Sequence, residues 1–255
     1  MTARIDILGC PVDVLTMEAA VQRIAECIKR QENCQVVTAN AEILYSAQHD
    51  PGLFLTLHDA NIITADGMGV ILASRILSRP LPERVAGVDL VHSLAQRGVR
   101  AGWRFYLLGA TREVLDLATQ RLQVLYPGVQ IVGSHHGYFR PEENTTILAS
   151  IKASSPDILL VAMGAPKQDK WLHDNLGKSG AAVGIGVGGT FDILAGSAQR
   201  APLWMQRLGL EWLFRLWQQP SRWRRTLMLP KFVWAVLWQR VRNRKDASAK
   251  RPHKG

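Results

Sequence analysis

Cysteine is scarce in this sequence: Cys10, Cys27 and Cys34 are the only three in 255 residues, and they lack the paired spacing of a zinc site. A secreted disulfide scaffold needs a far higher density, so a reducing compartment is expected. The first ten residues have no basic stretch followed by a long apolar run, as a signal peptide would. The pattern G-x-x-x-x-G-K-[ST] is also absent, which argues against a P-loop ATPase.

Acidic residues are nearly missing from the last quarter of the chain. Residues 1–195 hold 17 Lys and Arg against 19 Asp and Glu, whereas residues 196–255 hold 14 against only Glu211 and Asp246. The net charge of +10 therefore comes from a tail of +12 on a body of −2. Six of the eight tryptophans also lie in the tail. The sequence predicts a near-neutral body, apolar enough at 47% hydrophobic residues to bury a core, followed by a basic, Trp-rich segment.

Along the body, short apolar or β-branched runs alternate with longer amphipathic stretches, as in a parallel sheet covered by helices. After a first strand at the N-terminus, strands are predicted near CQVVTAN, NIITADG, RFYLLGA, VQIVGS, DILLVAMG and AAVGIGVGG. Helices are predicted at TMEAAVQRIAECIKRQ, MGVILASRILS, REVLDLATQRLQVLY and around KQDKWLHDNL. Ligands of open α/β sheets bind at the carboxyl ends of the strands, so the turns there are expected to form the site.

A glycine-rich run, VGIGVGGTFD, ends one predicted strand and is followed by Thr190 and Asp192. Its glycines, which include Gly188 and Gly189, let the backbone approach a ligand, and consecutive free amides make a concavity for an anion. Taken alone, tight packing of the strand explains the glycines equally well. The run also comes too late in the chain for a dinucleotide fingerprint.

Asp66 ends another predicted strand and is followed by glycine. A carboxylate in this position can face a cleft that helix N-termini make electropositive, where it can act as a general base. On position alone, a helix N-cap is the alternative role for this aspartate.

Cations for an anionic ligand are predicted at Arg84, at Lys167 and among the tail arginines. Arg84 lies in a predicted loop, where a solvated surface arginine is the alternative. Pro166 suits the opening of a helix, so Lys167 and Gln168 are expected in its first turn, facing the cleft. A cation there gains nothing from the helix dipole, which hints at an anionic ligand.

No metal site is predicted. His135 and His136 are adjacent, so their side chains diverge on a strand, and no cysteine or acidic cluster completes a ligand set.

Six segments resemble, in this order and at these intervals, the WecG/TagA/CpsF family (glycosyltransferase family 26): VTANAEI, TADGMGV, ERVAGVDL, FYLLGA, MGAPKQDKW and VGGTFDILAG. The resemblance covers nearly the whole body and continues into the tail. It implies an α/β, Rossmann-like fold, with a mostly parallel sheet and helices on both faces. It further implies inverting transfer of N-acetylmannosamine, its uronic acid or a hexose such as glucose. The donor would be a UDP-sugar, and the acceptor a polyprenyl-diphosphate-linked saccharide at the cytoplasmic membrane face.

Neither a metal nor another cofactor is implied, and no two aspartates are separated by one residue, so the metal-binding D-x-D pair of many nucleotide-sugar transferases is absent. Matched by position, Asp66 falls on the catalytic base, and Arg84 falls on a polar residue that lines the cleft, where we expect it to stabilise the UDP leaving group. Other positions match polar residues that line the cleft: Thr38, Asn40 and Gln168. Tyr138 and Asp192 fall where the family is expected to hold the uridine. In the tail, basic residues thought to meet the acceptor diphosphate are matched by Arg215, Arg222 and Arg225.

The tail carries two apolar-aromatic stretches, PLWMQRLGLEWLFRLW and LMLPKFVWAVLW, each shorter than the roughly 20 residues that span a bilayer. Interleaved Trp and Arg are typical of a helix that lies among lipid headgroups, with the cations on anionic lipid. The alternative is that the tryptophans pack the tail onto the body. We expect a catalytic domain over 1–196, a basic, amphipathic helical membrane-association appendage over 197–245 and a disordered basic tail over 246–255.

Two other functions compete. The basic tail can instead bind the phosphates of a nucleic acid through its arginines and stack its tryptophans on the bases. The apolar run LMLPKFVWAVLW argues against this function, because a solvated nucleic-acid-binding arm does not need an apolar surface. A nicotinamide-dependent oxidoreductase needs an early glycine fingerprint, which this chain lacks. No nucleic-acid partner is therefore predicted.

Overall fold

The computed structural model describes residues 3–218, 220 and 227–249. Its strands are β1 Arg4–Ile7, β2 Cys10–Asp13, β3 Cys34–Ala39, β4 Ile62–Ala65, β5 Arg104–Gly109, β6 Gln130–His135, β7 Ile158–Ala162 and β8 Val183–Gly186. Strands β3 to β8 form one sheet in the order β4-β3-β8-β7-β5-β6, and every neighbouring pair is parallel. This confirms the predicted parallel sheet and all six of its strands.

The helices are α1 Met17–Arg30, α2 Ala41–Ser46, α3 Pro51–Asp59, α4 Met68–Ile76, α5 Gly87–Ala101, α6 Arg112–Leu125, α7 Asn144–Ser154, α8 Lys167–Ser179, α9 Thr190–Leu194, α10 Leu203–Arg207, α11 Glu211–Gln218 and α12 Met228–Ala249. Successive strand residues alternate between the faces of the sheet. Val36 packs in a core with α1, α5, α6 and α9, whereas Val37 packs with α2, α3 and α4. Helices α7 and α8 complete the second face. The expected helices on both faces are therefore confirmed.

Local sequence explains how these helices begin. The Thr16 hydroxyl caps α1 by accepting from the Ala19 amide at 3.1 Å, and Lys29 and Arg30 lie in its last turn, where cations favour the dipole. Asp50 caps α3 in the same way, with Pro51 at its first position. By contrast, α5 follows Ala86 and has no side-chain cap.

The N-terminal strand prediction is confirmed, but the strand lies outside the main sheet. Strand β1 pairs with β2 as an antiparallel two-stranded sheet. Asp13 anchors this hairpin: its buried carboxylate binds Arg4 and Arg23, and it accepts from the Ile63 amide of β4 at 2.8 Å.

Helix α12 packs one of its faces against the body. Phe232 and Val236 are fully buried in the core that contains α2 and α4. Gln239 is also buried, and its Oε1 accepts from the Leu8 amide of the hairpin at 2.9 Å. The helix continues to Ala249, past the residue at which the sequence predicts disorder to begin.

Three of the tail tryptophans lie largely in solvent. Trp217, Trp234 and Trp238 are 78%, 72% and 66% exposed. These three do not pack the tail onto the body, whereas Trp212 is 42% exposed and lines a pocket. In α12, the residues that bury against the body are Phe232 and Val236. Among the described residues, no helix combines the length and apolarity that crossing a membrane requires.

Candidate active site

A pocket opens at the carboxyl ends of β3, β4, β7 and β8, where the rule for open α/β sheets places ligands. The segments that follow these strands line it with residues that include Asn40, Asp66, Gly164 and Gly188. The loop before α5 adds Arg84. The other wall comes from the tail, through residues on both sides of the undescribed segment 221–226: Arg200, Gly209, Glu211, Trp212, Leu216 and Leu229.

Seven of the residues predicted from sequence line this one pocket: Thr38, Asn40, Asp66, Arg84, Gln168, Gly188 and Gly189. They come from five separate segments of the chain, which the parallel sheet brings to one edge. Their chemical roles stay predictions.

Asp66 is half-buried and does not cap the helix that follows it. The N-cap of α4 is Gly67, and it makes no side-chain cap bond. The Asp66 carboxylate instead receives a hydrogen bond, at 3.3 Å, from the amide of Gly87, the first residue of α5. The positive end of this 15-residue helix therefore faces the Asp66 carboxylate, which the pocket exposes to a ligand.

Thr38 and Asn40 each hold a neighbouring segment in place. The Thr38 hydroxyl donates to the Gly186 carbonyl at 2.8 Å, which ties β3 to β8 beneath the pocket. Asn40 is the N-cap of α2, and its Oδ1 accepts from the Ile43 amide at 3.0 Å. Both side chains thus combine a place in the pocket lining with a local structural contact.

Gln168 lies in the first turn of α8, as predicted, and is buried. Its Oε1 accepts from the Gly188 amide at 3.0 Å, which fixes the glycine-rich loop after β8. The Gly188 amide is therefore occupied by Gln168 and is not one of the free amides that an anion-binding loop would offer.

Asp169, the next residue, is a buried carboxylate that the sequence did not indicate. It has no exposed surface, and neither of its oxygens has a hydrogen-bond partner among the described residues. A Cβ on residue 186 would lie 2.5 Å from the Asp169 Oδ1, so glycine is required at position 186. Burial raises the pKa of Asp169 to about 7, which outweighs the lowering by its own backbone amide and by the side-chain amide of Gln168.

We expect Asp169→Asn to change how stability depends on pH. Because the folded-state pKa is raised, the wild type loses stability as pH rises from about 4 through 7, by roughly 1.4 kcal/mol per pH unit. The side-chain amide of the variant cannot ionise. The stability of the variant should therefore increase relative to that of the wild type as pH rises over this range. Urea unfolding at pH 5, 6 and 7 measures the difference. The exposed Asp116→Asn is the control, and parallel pH profiles for wild type and Asp169→Asn would contradict the account.

Both cations in the lining are paired with carboxylates. Arg84 Nη1 lies 2.8 Å from Glu211 Oε2 at the start of α11. Arg200, which sequence reasoning missed, binds Asp89 through both terminal nitrogens at 2.6 Å each. Burial by itself would raise the pKa of Asp89, but the hydrogen bonds and charge of Arg200 outweigh it and hold the pKa of that carboxyl below its usual range.

Three predicted residues lie outside the pocket lining. Tyr138 is 75% exposed in the segment after β6. Lys167 is exposed, and its Nζ lies 5.9 Å from the ring centroid of Phe139. Asp192 lies in α9, and its Oδ2 comes within 3.8 Å of the position that a Cβ on Gly189 would take. All three follow strands at the same edge of the sheet as the pocket. Their predicted contacts with a nucleotide stay predictions.

Two of the three predicted tail arginines, Arg222 and Arg225, lie outside the described residues. Arg215 belongs to α11 by its backbone, but its side chain is outside the described part of the chain. Within residues 3–218, 220 and 227–249, no group of three His, Cys, Asp or Glu side chains is arranged to hold a metal ion.

Residues 5–246 match the model of the WecG/TagA/CpsF glycosyl transferase family. The chain is similar to the N-acetylglucosaminyldiphosphoundecaprenol N-acetyl-beta-D-mannosaminyltransferase of Bacillus spizizenii, with 38% identity over 86% of this chain and 82% of that protein. Proteins of the same name from Bacillus subtilis and Staphylococcus aureus strain MW2 are 37% and 36% identical. They cover 79% and 92% of this chain, which spans 78% and 92% of their lengths.

Proposed function

This chain belongs to the WecG/TagA/CpsF family of glycosyl transferases, and we propose that it moves a sugar from UDP onto a polyprenyl-diphosphate-linked saccharide, with inversion and without a metal ion. The names of its relatives favour N-acetylmannosamine as the sugar and N-acetylglucosaminyl-diphosphoundecaprenol as the acceptor. Its uronic acid and glucose are the other donors to test. The reaction would serve the synthesis of a cell-surface polysaccharide.

In the proposed mechanism, Asp66 takes the proton from the acceptor hydroxyl as that oxygen attacks the anomeric carbon. A new glycosidic bond forms, and the bond from the anomeric carbon to the diphosphate oxygen breaks. UDP leaves with the bonding electron pair, and Asp66 keeps the proton. The observation that carries this proposal is the gathering of Asp66 and Arg84 in one pocket with the polar groups of Thr38, Asn40 and Gln168.

The leaving group needs more positive charge than the described lining provides. The charged residues of the lining are two arginines, Arg84 and Arg200, and three carboxylates, Glu42, Asp66 and Glu211. This gives a formal charge of −1, before a diphosphate is added. Cations in addition to Arg84 and Arg200 must therefore come from elsewhere to stabilise the developing charge.

We assign this role to Arg215, Arg222 and Arg225. Leu216 of α11 and Leu229 of α12 both line the pocket, so the segment between them starts and ends beside it. Arg222 and Arg225 fall in that segment, and Arg215 directly precedes it. The tail thereby supplies both a wall of the site and the missing charge.

A membrane-surface location follows from the same proposal, because the acceptor is a lipid. We place the protein on the inner face of the plasma membrane, attached through the exposed tryptophans and basic residues of the tail. Trp234 and Trp238 lie one turn apart on α12, and Arg242 follows one turn later. This arrangement suits the headgroup region, with rings at the interface and cations on anionic lipid.

The double variant Trp234→Ala with Trp238→Ala should bind anionic vesicles at least about tenfold more weakly, because burying even ~30 Å² of each ring contributes about 1.5 kcal/mol for the two rings together. Sedimentation with vesicles measures the partition. The control is Leu117→Ala with Val124→Ala, which removes exposed apolar side chains from α6 instead. Unchanged partition of the tryptophan variant would contradict the membrane role. Tighter binding to single-stranded DNA than to vesicles at physiological salt would favour the nucleic-acid alternative.

A donor screen tests the proposed reaction. UDP-N-acetylmannosamine, its uronic acid and UDP-glucose are each incubated with a short-chain polyprenyl-diphosphate N-acetylglucosamine in the presence of EDTA, and released UDP is measured. Acceptor-dependent UDP release from one donor supports the function, and the anomeric configuration of the product tests inversion. Absence of release from every donor, or release that EDTA abolishes, would contradict the proposal.

A further inference from the structure

Arg200 lines the pocket in the segment that connects α9 to α10. Its side chain is about three-quarters buried, with 25% of its surface exposed. Its two terminal nitrogens lie 2.6 Å from the two oxygens of Asp89, in the paired geometry that fixes a guanidinium in orientation as well as in position. Arg200 is therefore held rigidly at the wall of the site.

The first turn of α5 holds both Arg200 and the proposed base. Asp89 lies in that turn and binds Arg200, and the amide of Gly87 in the same turn donates to Asp66. One rigid element thus sets the positions of a cation and a carboxylate in one pocket. The pKa of Arg200 is raised chiefly by its hydrogen bonds to Asp89, with smaller contributions from Glu211 and Asp66, so the cation persists at every working pH.

Arg200 has donors left over. A guanidinium has five N–H groups, and Asp89 takes two of them. Its Nε is buried and has no hydrogen-bond partner among the described residues. Buried donors in native proteins are nearly always paired, so an unpaired N–H on Arg200 leaves the site with hydrogen-bonding capacity for a ligand.

Arg84 is held differently. Its carboxylate partner, Glu211, belongs to α11 in the tail. The partner of Arg200 belongs to α5, whose apolar side is buried in the core of the body. Both ion pairs therefore join the tail to the body: Arg200 is a tail residue anchored on α5 of the body, whereas Arg84 is a body residue paired with the tail.

We propose that Arg200 is a binding residue for the diphosphate of the donor, kept in place by Asp89 as its positioning residue. The inference rests on the proposed function, since it takes the ligand to be a UDP-sugar. Arg200 offers its remaining N–H groups to phosphate oxygens, and its effect grows as negative charge develops on the departing UDP.

Calorimetric titration with UDP and with uridine tests this assignment, because uridine lacks the phosphates. We expect Arg200→Ala to weaken UDP binding by about 10- to 100-fold, equivalent to losing one strong charge-assisted contact, and to leave uridine binding unchanged. Arg200→Lys keeps the charge but loses the paired geometry of the guanidinium, so its affinity for UDP should lie between those of the wild type and Arg200→Ala. Arg121→Ala, which removes an exposed arginine from α6, is the control.

Asp89→Asn separates binding from positioning. It keeps Arg200 but weakens its restraint, so we expect a smaller loss of UDP affinity, and the double variant with Arg200→Ala should bind no more weakly than Arg200→Ala alone. UDP affinity within twofold of the wild type in both Arg200 variants would overturn the inference, as would an equal loss of UDP and uridine binding. A wild-type chain that does not bind UDP would instead contradict the proposed function itself.

Discussion

Replacement of Asp66 by Asn is expected to reduce turnover by about 100- to 10,000-fold, the usual contribution of a general base, while the protein stays folded. The amide keeps an oxygen that can accept from the Gly87 amide, so the turn between β4 and α4 keeps its support. It cannot take a proton from the acceptor. Initial rates of UDP release at saturating donor and acceptor measure the loss.

Two comparisons make this result specific to the proposed role. Asp116→Asn removes a carboxylate from the exposed surface of α6 and should transfer sugar at the wild-type rate. UDP affinity of Asp66→Asn should stay close to that of the wild type, because Asp66 is proposed to act on the acceptor. Turnover of Asp66→Asn within a few-fold of the wild type would remove Asp66 from the role of base.

The double variant Arg222→Ala with Arg225→Ala should lower kcat/KM by at least about 100-fold, because loss of a single preorganised donor to a developing oxyanion typically costs 100- to 1,000-fold. The described lining of the pocket carries a formal charge of −1, so few other cations are available to compensate. Steady-state rates with a water-soluble short-chain acceptor measure this effect without requiring a membrane.

Loss of charge from the tail must be separated from loss of charge at the pocket. Arg242→Ala with Arg244→Ala removes the same charge from the exposed surface of α12, so it should weaken vesicle binding but keep kcat/KM on the soluble acceptor. Equal activity losses in the two double variants would contradict a specific role for Arg222 and Arg225.

The central sheet could be predicted from the sequence because most of its strands, β6 at the edge excepted, are buried on both faces and read as short apolar runs between amphipathic stretches. The position of the N-terminal hairpin could not be predicted, because pairing is a long-range property and the local pattern of residues 4–13 fits any sheet. Helix α5 begins without a side-chain cap and contains two glycines and three valines, so the local signal for its start and its helix propensity are weak.

Some residues of the candidate site could likewise be predicted from the sequence, and others could not. Asp66, Thr38 and Asn40 directly follow or end strands, so the rule for open α/β sheets and the resemblance of their motifs both indicated them. Arg200 could not be found by this reasoning, because its partner Asp89 lies 111 positions earlier and meets it only in the folded chain. Asp169 is buried because α8 packs across β8 at a glycine, a tertiary contact that its own segment does not reveal.

The sequence pattern of the tail predicts a helix but does not indicate which of its apolar side chains face the body. Residues 228–239 combine aromatic and aliphatic side chains on a helix, a composition that fits burial against protein as well as contact with lipid. The fold separates the two sets, with Phe232 and Val236 facing the body and Trp234 and Trp238 facing away. Such a division depends on which face meets α2 and α4, and that is fixed only by packing.

The central claim is that the pocket at the strand ends holds a sugar nucleotide beside Asp66. A crystal structure of the protein with UDP is its most direct test. We expect the diphosphate in this pocket, close to Arg200 and Arg84, with room beside Asp66 for the acceptor. Nucleotide bound elsewhere, for example in the groove between the β1–β2 hairpin and α12, would contradict it.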